Sequence, residues 1–392
     1  MRLPLSLLVA VALAVPVAAA DSVHSAVAKL TKPKKKSDRA VEPLDGVTVN
    51  LWLPDGVPVL RGVLVNPFYD KAVAQKHWQE AARLWGFGVV GANYFGVPKP
   101  EFGSSLVAGL TQLGTELKRP ELANVPFLFV GMSAGGGMSV QFAEQLADRT
   151  IAAAPVCLEV GPTTPAGRAV PMLTVFGTKD GKQLEILSKK LPDARAAGAL
   201  WGIAPQWGRK HEFGQANNLV LPFFDSCVKL RLPKGADASK GPVKLNTLKQ
   251  EDGWVGYWSG NPATGSVRKF AGAPTDVPVL SWFPDHRTAA VWQAFVAQKP
   301  DISIATPASL GDGKPFQTHP ANEKLTVTAK TTHLKTFLRD GPDQIATSGD
   351  DAKTLVVEKL APGIHTLILF ADDAGGAGFG PSRPVTLIVP RK

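Results

Sequence analysis

Residues 125–147 constrain this chain more than any other stretch. Val125-Pro126-Phe127-Leu128-Phe129-Val130 is an apolar run of strand length that stops at Gly131. Ser133 follows, then Gly135, Gly136 and Gly137, and residues 138–147 have the composition of a helix. Strand, Gly-x-Ser-x-Gly, helix is the order a nucleophile elbow needs, in which a serine on a strained turn lifts its hydroxyl clear of a sheet. Only residues without a Cβ let neighbouring backbone come so close. A Gly/Ser-rich turn without chemistry is the bland alternative, and the flanking strand and helix argue against it.

The neighbouring segments predict what the elbow stands on. Residues 47–53, 62–65, 88–94, 151–156, 171–176 and 199–203 read as short apolar strands. Helices are expected over 71–85, with Asp70 as N-cap, and over 104–117, 183–190 and 213–230. Near-continuous apolar strands alternating with helices predict an α/β fold over 45–231, a mostly parallel sheet with helices on both faces. Its strand C-termini would share one edge, where a site forms.

Downstream the pattern changes. Residues 232–242 are linker-like, and 232–317 predict an irregular appendage with one helix over 285–297 and aromatics at Trp254, Tyr257, Trp258, Trp282 and Phe283. From 318 to 392 the period is two, with strands expected at 325–329, 334–338, 354–357, 365–370 and 385–389, giving a small all-β sandwich. Phe337, Phe370 and Phe379 do not make an exposed aromatic row, so a structural cap and a binding module are both open.

The N-terminus predicts export to the periplasm or the outside. Arg2, an apolar run over 3–17 and Ala18-Ala19-Ala20 have the form of a signal peptide, residues 1–20; that run is too short to span a bilayer, and no other stretch approaches the length of a membrane helix. The net charge of +10 is concentrated: residues 29–39 hold six cations against Asp38, so 21–44 reads as a solvated basic leader, and no nucleic-acid motif accompanies it. Cys157 and Cys227 are compatible with one disulfide and equally with two buried thiols.

A serine nucleophile needs a base, and the base an orienting acid, arriving after the serine in the order acid, histidine. The strand ending at Phe176 runs into Gly177-Thr178-Lys179-Asp180-Gly181, and the next into Gly208-Arg209-Lys210-His211-Glu212. Asp180 is therefore the candidate acid, with Glu212 and Asp225 in reserve. His211 is the candidate base, since no other histidine lies between the elbow and residue 232. His77, in the helix before the elbow, suggests a surface or packing role. Oxyanion donors are expected from the Ala134 amide and from the loop after Val65. Pro67 has no N–H there, which leaves Phe68, or failing it Tyr69. Tyr69 and Trp207 are candidate substrate contacts, whereas Trp201 suits the core. This chemistry requires no metal or organic cofactor.

Residues 45 to 230 resemble an α/β-hydrolase. Gly131-Met132-Ser133-Ala134-Gly135-Gly136-Gly137-Met138, followed by Ile151-Ala152-Ala153-Ala154-Pro155-Val156, is similar to secreted esterases of the polyhydroxybutyrate depolymerase and feruloyl esterase type. The resemblance implies a serine esterase with Ser133, His211 and Asp180 as triad and leaves the choice of ester open, with polymeric and carbohydrate-linked esters among the candidates. The Asn66-Pro67-Phe68-Tyr69 loop departs from the usual His-Gly-Gly pattern, and no lid is recognisable. Residues 318–392 resemble an immunoglobulin or fibronectin type III module. Two alternatives stand beside the esterase: a peptidase of the prolyl-oligopeptidase type, and a hydrolase-like binding protein without turnover.

Overall fold

The computed structural model describes residues 20–272, 280–307, 318–333, 335–349, 351, 353–372 and 381–391. Residues 1–19 of the expected signal peptide and Phe379 lie outside them. In chain order the first unit comprises β1 (Ser22–Lys29), β2 (Gly46–Leu53), β3 (Gly62–Asn66), α1 (Lys76–Trp85), β4 (Phe87–Ala92), α2 (Phe102–Glu116), β5 (Phe127–Met132), α3 (Ala134–Gln145) and β6 (Thr150–Val156). It continues with α4 (Pro165–Arg168), β7 (Met172–Gly177), α5 (Gln183–Ala196), β8 (Trp201–Gln206) and α6 (Asn217–Arg231). The eight strands form one sheet in the order β1-β2-β4-β3-β5-β6-β7-β8. β1 and β2 pair antiparallel, and the pairs from β4 to β8 are parallel. With the elbow after β5, this is the α/β-hydrolase sheet that the sequence predicts.

The alternation along the strands decides which helix covers which face. Leu64, Leu128, Val130 and Ala154 pack with α1 and α6 through Trp78, Trp85, Leu219, Phe223 and Phe224. Val63, Val65, Phe127, Phe129 and Ala153 face the other way, toward Leu106 and Leu110 of α2, Phe142 of α3 and Leu187 and Leu191 of α5. Successive side chains point to opposite faces, so a strand apolar throughout is covered on both.

Three local expectations are corrected. The leader is not simply solvated: Ser22–Lys29 is the edge strand β1, paired residue for residue with β2. Its only apolar inward side chains are Ala26 and Ala28, beside Ser22 and His24, while Val23 and Val27 face out, so its hydrophobic alternation is too weak to read. α2 lies close enough here that a Cβ on Gly109 would reach Val49 Cγ2 at 2.8 Å. Lys34 of the basic run is buried and donates from Nζ to the Val41 carbonyl at 2.9 Å. The helix expected over 71–85 is broken: Asp70–Ala74 is a 3-10 turn, and Gln75 at ψ 109 separates it from α1, so Asp70 does not cap α1. The helix expected from Phe213 begins at Asn217, because Gly214 at φ 55 turns the chain against the Gln206 side chain. Among the described residues no helix is long and apolar enough to cross a membrane.

The appendage is more regular than expected. β9 (Trp254–Ser259), β10 (Thr264–Lys269) and β11 (Ser281–Phe283) form a three-stranded sheet, followed by α7 (His286–Phe295). Ser281 Oγ bonds both the amide and the carbonyl of Ile203, and Trp292 Nε1 donates to that carbonyl at 2.8 Å. The appendage thus covers the β8 edge, which would otherwise offer unpaired backbone.

The C-terminal unit holds β12 (Ser303–Thr306), β13 (Leu325–Lys330), β14 (Lys335–Asp340), β15 (Asp343–Thr347), β16 (Thr354–Val357), β17 (Gly363–Asp372) and β18 (Val385–Val389). They form two sheets, β12-β13-β16 and β15-β14-β17-β18, around Val327, Leu338, Leu355, Leu367, Leu369 and Leu387. The opposite face of β17 and β18 presents Ile364, Ile368 and Ile388 to the hydrolase core. Thr386 donates from its amide to Asn218 Oδ1 and from Oγ1 to the Asn218 carbonyl, both at 3.0 Å. The sandwich is therefore docked on α6.

A polar clasp reinforces the junction. Arg287 of α7 meets Asp225 of α6 at 2.8 Å and Asp340 of β14 at 3.9 Å, and donates to the Ile364 carbonyl. His365 Nδ1 lies 2.7 Å from Asp340 Oδ2. Burial works against charge on both partners, but the hydrogen bond and attraction between them win: the Asp340 pKa is lowered and that of His365 raised. Asp340 therefore contributes stability above its unfolded pKa near 4, lost as pH falls. His365 contributes fully below its unfolded value near 6.5, and that contribution is lost as pH rises through its raised folded value. The stability gap between wild type and His365→Gln should thus be widest near pH 5 and narrow above pH 7. Thermal melts across pH 4.5–8.5 check this, and a pH-independent gap contradicts it.

Candidate active site

The elbow has the predicted geometry. β5 ends at Met132, α3 starts at Ala134, and Ser133 between them sits at φ 55, ψ −123, a conformation that side chains rarely adopt. Such strain persists only where the surroundings over-determine it, and it collects at functional sites. The glycines supply the room. A Cβ on Gly131 would collide with the Gly135 backbone, and one on Gly136 would lie 3.1 Å from the Val156 carbonyl. A Cβ on Gly135 would come within 2.8 Å of Phe68 Cβ. Because Cβ is fixed to the backbone, Gly135→Ala should push the 66–69 loop off the elbow and lower kcat/KM on a reactive ester roughly 10- to 100-fold. A steady-state assay beside a thermal melt checks this, and unchanged kinetics would show that the loop's position does not matter.

Asp180 and His211 come from the loops after β7 and β8. The loops are joined by Lys179 N–H to the Arg209 carbonyl at 2.8 Å, Thr178 N–H to the Gln206 carbonyl at 3.1 Å, and Gly208 N–H to Thr178 Oγ1 at 2.9 Å. A side chain on Gly177 would strike the carbonyls of Arg209 and Lys210, so a glycine there lets the histidine loop lie over the end of β7. His211 Nδ1 stands 2.7 Å from Asp180 Oδ2, and that oxygen also accepts from Gln183 Nε2 at 2.6 Å. Bonding at Nδ1 leaves Nε2 for other work. His211 is about half exposed, with 47% of its side chain accessible, against 16% for Asp180.

Ser133 stands on the next strand end but one. Its amide donates to the Val156 carbonyl at 2.8 Å, and the following residue, Cys157, donates from Sγ to the Glu212 carbonyl at 2.9 Å. No hydrogen bond between Ser133 Oγ and His211 occurs among the described residues. In serine sites such bonds are commonly long until substrate is seated. Of the reserve acids, Glu212 has its carboxylate 3.7 Å from Arg209. Asp225 is buried within α6, where its carboxylate is bound by Trp85, Lys229 and Arg287 and not by His211.

Cys157 and Cys227 are buried free thiols. By distance alone Cys157 Sγ, Asp180 and His211 could surround a metal ion, their ligand atoms lying within 4.8 Å of one another. Burial raises the Cys157 pKa to about 11, and its thiol is committed to Glu212, so it serves better as a strut for the histidine loop than as a thiolate ligand.

A cavity of about 520 Å³ opens on Ser133. Phe68, Tyr69, Trp78, Met132 and Phe213 supply its apolar wall, and Asn66, Gln75, His77 and Asn217 its polar groups. Phe68, the expected oxyanion donor, and Tyr69, the expected substrate contact, both line this cavity. The Phe68 amide donates to Asn66 Oδ1 at 3.2 Å, a long bond. Ala134 is the first residue of α3, where helical amides lack intrahelical partners. Trp207 is elsewhere, its Nε1 donating to the Val296 carbonyl at 2.7 Å, which ties the β8 loop to α7. Trp201 is core, hydrogen-bonded to Thr174.

Sequence reasoning missed His77 and Asn217 as cavity residues. The surface or packing role expected of His77 omitted the cavity: its ring lies 4.7 Å from that of Trp78, tilted by 52°, and burial lowers its pKa to about 4, so it is neutral at ordinary pH. The only local signal is its place one residue before Trp78 on an amphipathic helix.

No protein-family model matches the chain, and none of the curated proteins does. Among solved structures it is similar to a cold-adapted esterase from an Arctic intertidal metagenomic library, at 16% identity over 54% of this chain and 95% of that one, TM-score 0.37. A predicted CIB-like hydrolase from Thermoplasma acidophilum matches at 16% identity over 49% and 90%, TM-score 0.30. The fibronectin(III)-like modules of CbhA from Clostridium thermocellum match at 16% identity over 22% and 93%, TM-score 0.20. Likenesses this distant carry no weight on activity or substrate. The α/β-hydrolase fold stands on the strand order and the elbow.

Proposed function

We propose that this chain is an exported serine esterase. The observation that carries the reading is a serine at φ 55 on an elbow, on the sheet edge that also carries a histidine whose Nδ1 is held at 2.7 Å by an aspartate from the adjoining loop. Ser133 Oγ attacks the ester carbonyl carbon while its proton passes to His211 Nε2, and Asp180 orients the ring and stabilises the imidazolium. The tetrahedral oxyanion takes the Ala134 amide as one donor and the Phe68 amide, shared with Asn66, as the other. The C–O bond to the alcohol then breaks as His211 returns the proton to the leaving oxygen. A water gives its proton to His211 and attacks the acyl-enzyme. The carboxylic acid leaves and Ser133 recovers its proton. Export rests on the form of residues 1–20.

A panel of p-nitrophenyl esters from short to long acyl chains, set beside matched p-nitroanilides, tests the reading. Ester turnover well above amide turnover is expected. Faster cleavage of the anilides would replace the esterase with a peptidase.

A further inference from the structure

Asp180 receives a second donor besides His211. Gln183 opens α5, and its Nε2 donates to Asp180 Oδ2 at 2.6 Å. His211 Nδ1 stands 2.7 Å from the same oxygen. Asp180 belongs to a loop and its side chain is 16% accessible, whereas Gln183 is 5% exposed, on a helix that packs Leu187 and Leu191 into the core. The last torsion of an aspartate is broad and roughly two-fold, so the backbone alone does not decide which oxygen meets the histidine or in which plane. A donor fixed on Oδ2 does. The arrangement carries a cost, because Gln183 Oε1 is buried with no hydrogen-bond partner among the described residues. A stranded oxygen disfavours the fold, so the bond to Asp180 is what a glutamine gains here. Among the described residues, the wall of the Ser133 cavity does not include Gln183.

We infer that Gln183 is a positioning residue, pinning the Asp180 carboxylate so that Oδ2 holds His211 Nδ1 and fixes the direction in which Nε2 faces. The inference rests on the esterase reading and adds a fourth side chain to it. Gln183 touches neither substrate nor Ser133, and it acts through Asp180. A ring that Asp180 holds less firmly takes the serine proton less often in the right geometry, while the cavity that binds substrate is unaltered.

The test is Gln183→Met, which keeps the length of the side chain and removes both the donor and the stranded oxygen. On a p-nitrophenyl ester kcat should fall roughly 10- to 100-fold, with KM within about threefold of wild type. The melting temperature should stay within about 3 °C, because the lost bond and the removed buried oxygen oppose each other. In an Asp180→Ala background Gln183 has nothing left to hold, and the same substitution should change kcat by less than about twofold. A downfield proton resonance from His211 Nδ1–H in wild type should weaken in Gln183→Met as the proton exchanges faster with water. Kinetics within about twofold of wild type, or an unchanged resonance, overturn the inference and leave the esterase standing. An undiminished loss of kcat in the Asp180→Ala background also overturns it, because Gln183 then acts by another route. If Gln183→Met does not fold, Gln183→Leu carries the same expectations, and failure of both to fold overturns the inference in favour of a structural role. Wild type with neither turnover nor fluorophosphonate labelling at Ser133 overturns the esterase reading, and this role with it.

Discussion

Replacing Ser133 with alanine should lower kcat on a p-nitrophenyl ester by roughly ten-thousand- to a million-fold, and His211→Ala should cost about as much. The two act as one unit. The double variant should therefore be no worse than either single, the residual rate coming from the oxyanion donors and from binding. Stability should move differently. Ser133 holds φ 55, ψ −123, and glycine takes such positive-φ conformations without the Cβ penalty. Ser133→Gly should thus raise the melting temperature while abolishing turnover, since strain of this kind costs on the order of 1–3 kcal/mol. Steady-state kinetics with thermal melts on the same preparations would show both. Activity in Ser133→Ala within about tenfold of wild type would remove the serine from the mechanism.

The second large effect is structural. Asp225 is 5% exposed and accepts from Trp85 Nε1 at 3.0 Å, Lys229 Nζ at 2.6 Å and Arg287 Nη1 at 2.8 Å. Lys229 is largely exposed and contributes little on its own. Arg287 is mostly covered, and it links α6 to the Ile364 carbonyl of the sandwich. Asp225→Ala should destabilise the chain by about 3–5 kcal/mol, because it strands a covered guanidinium and an indole N–H together. Urea unfolding followed by tryptophan fluorescence measures the loss. A change under about 1 kcal/mol would mean that the apolar contacts of Ile364, Ile368 and Ile388 hold the junction without the clasp. A large loss would fit the sandwich as a structural part of the hydrolase, in line with its docking on α6.

What could be read from the sequence follows from where the signals are local. The elbow was legible because one short stretch carries an apolar strand, the serine and the crowding glycines; a Cβ would collide at Gly131 and Gly135 and sit in tight contact at Gly136 and Gly137. Asp180 and His211 were legible as the groups following two apolar strands, and sheet topology then brought them together. β1 was hidden because its inward apolar residues are small and its valines face out. The cavity was hidden for a different reason. Asn66, His77 and Asn217 come from the ends of β3, α1 and α6, far apart in the chain, and only the packing of both helices over one face of the sheet gathers them around Ser133. The break at Gln75 belongs to the same class: a side chain on Gly91 would strike the carbonyls of Tyr69 and Asp70, so contact with β4 shapes the turn that precedes α1.

The most direct test of the central claim is fluorophosphonate labelling of the purified protein, with the modified residue located by peptide mass spectrometry. The account predicts one adduct, on Ser133, lost in His211→Ala although that variant remains folded. An unlabelled wild-type protein with an intact thermal transition, or an adduct on another residue, would contradict it.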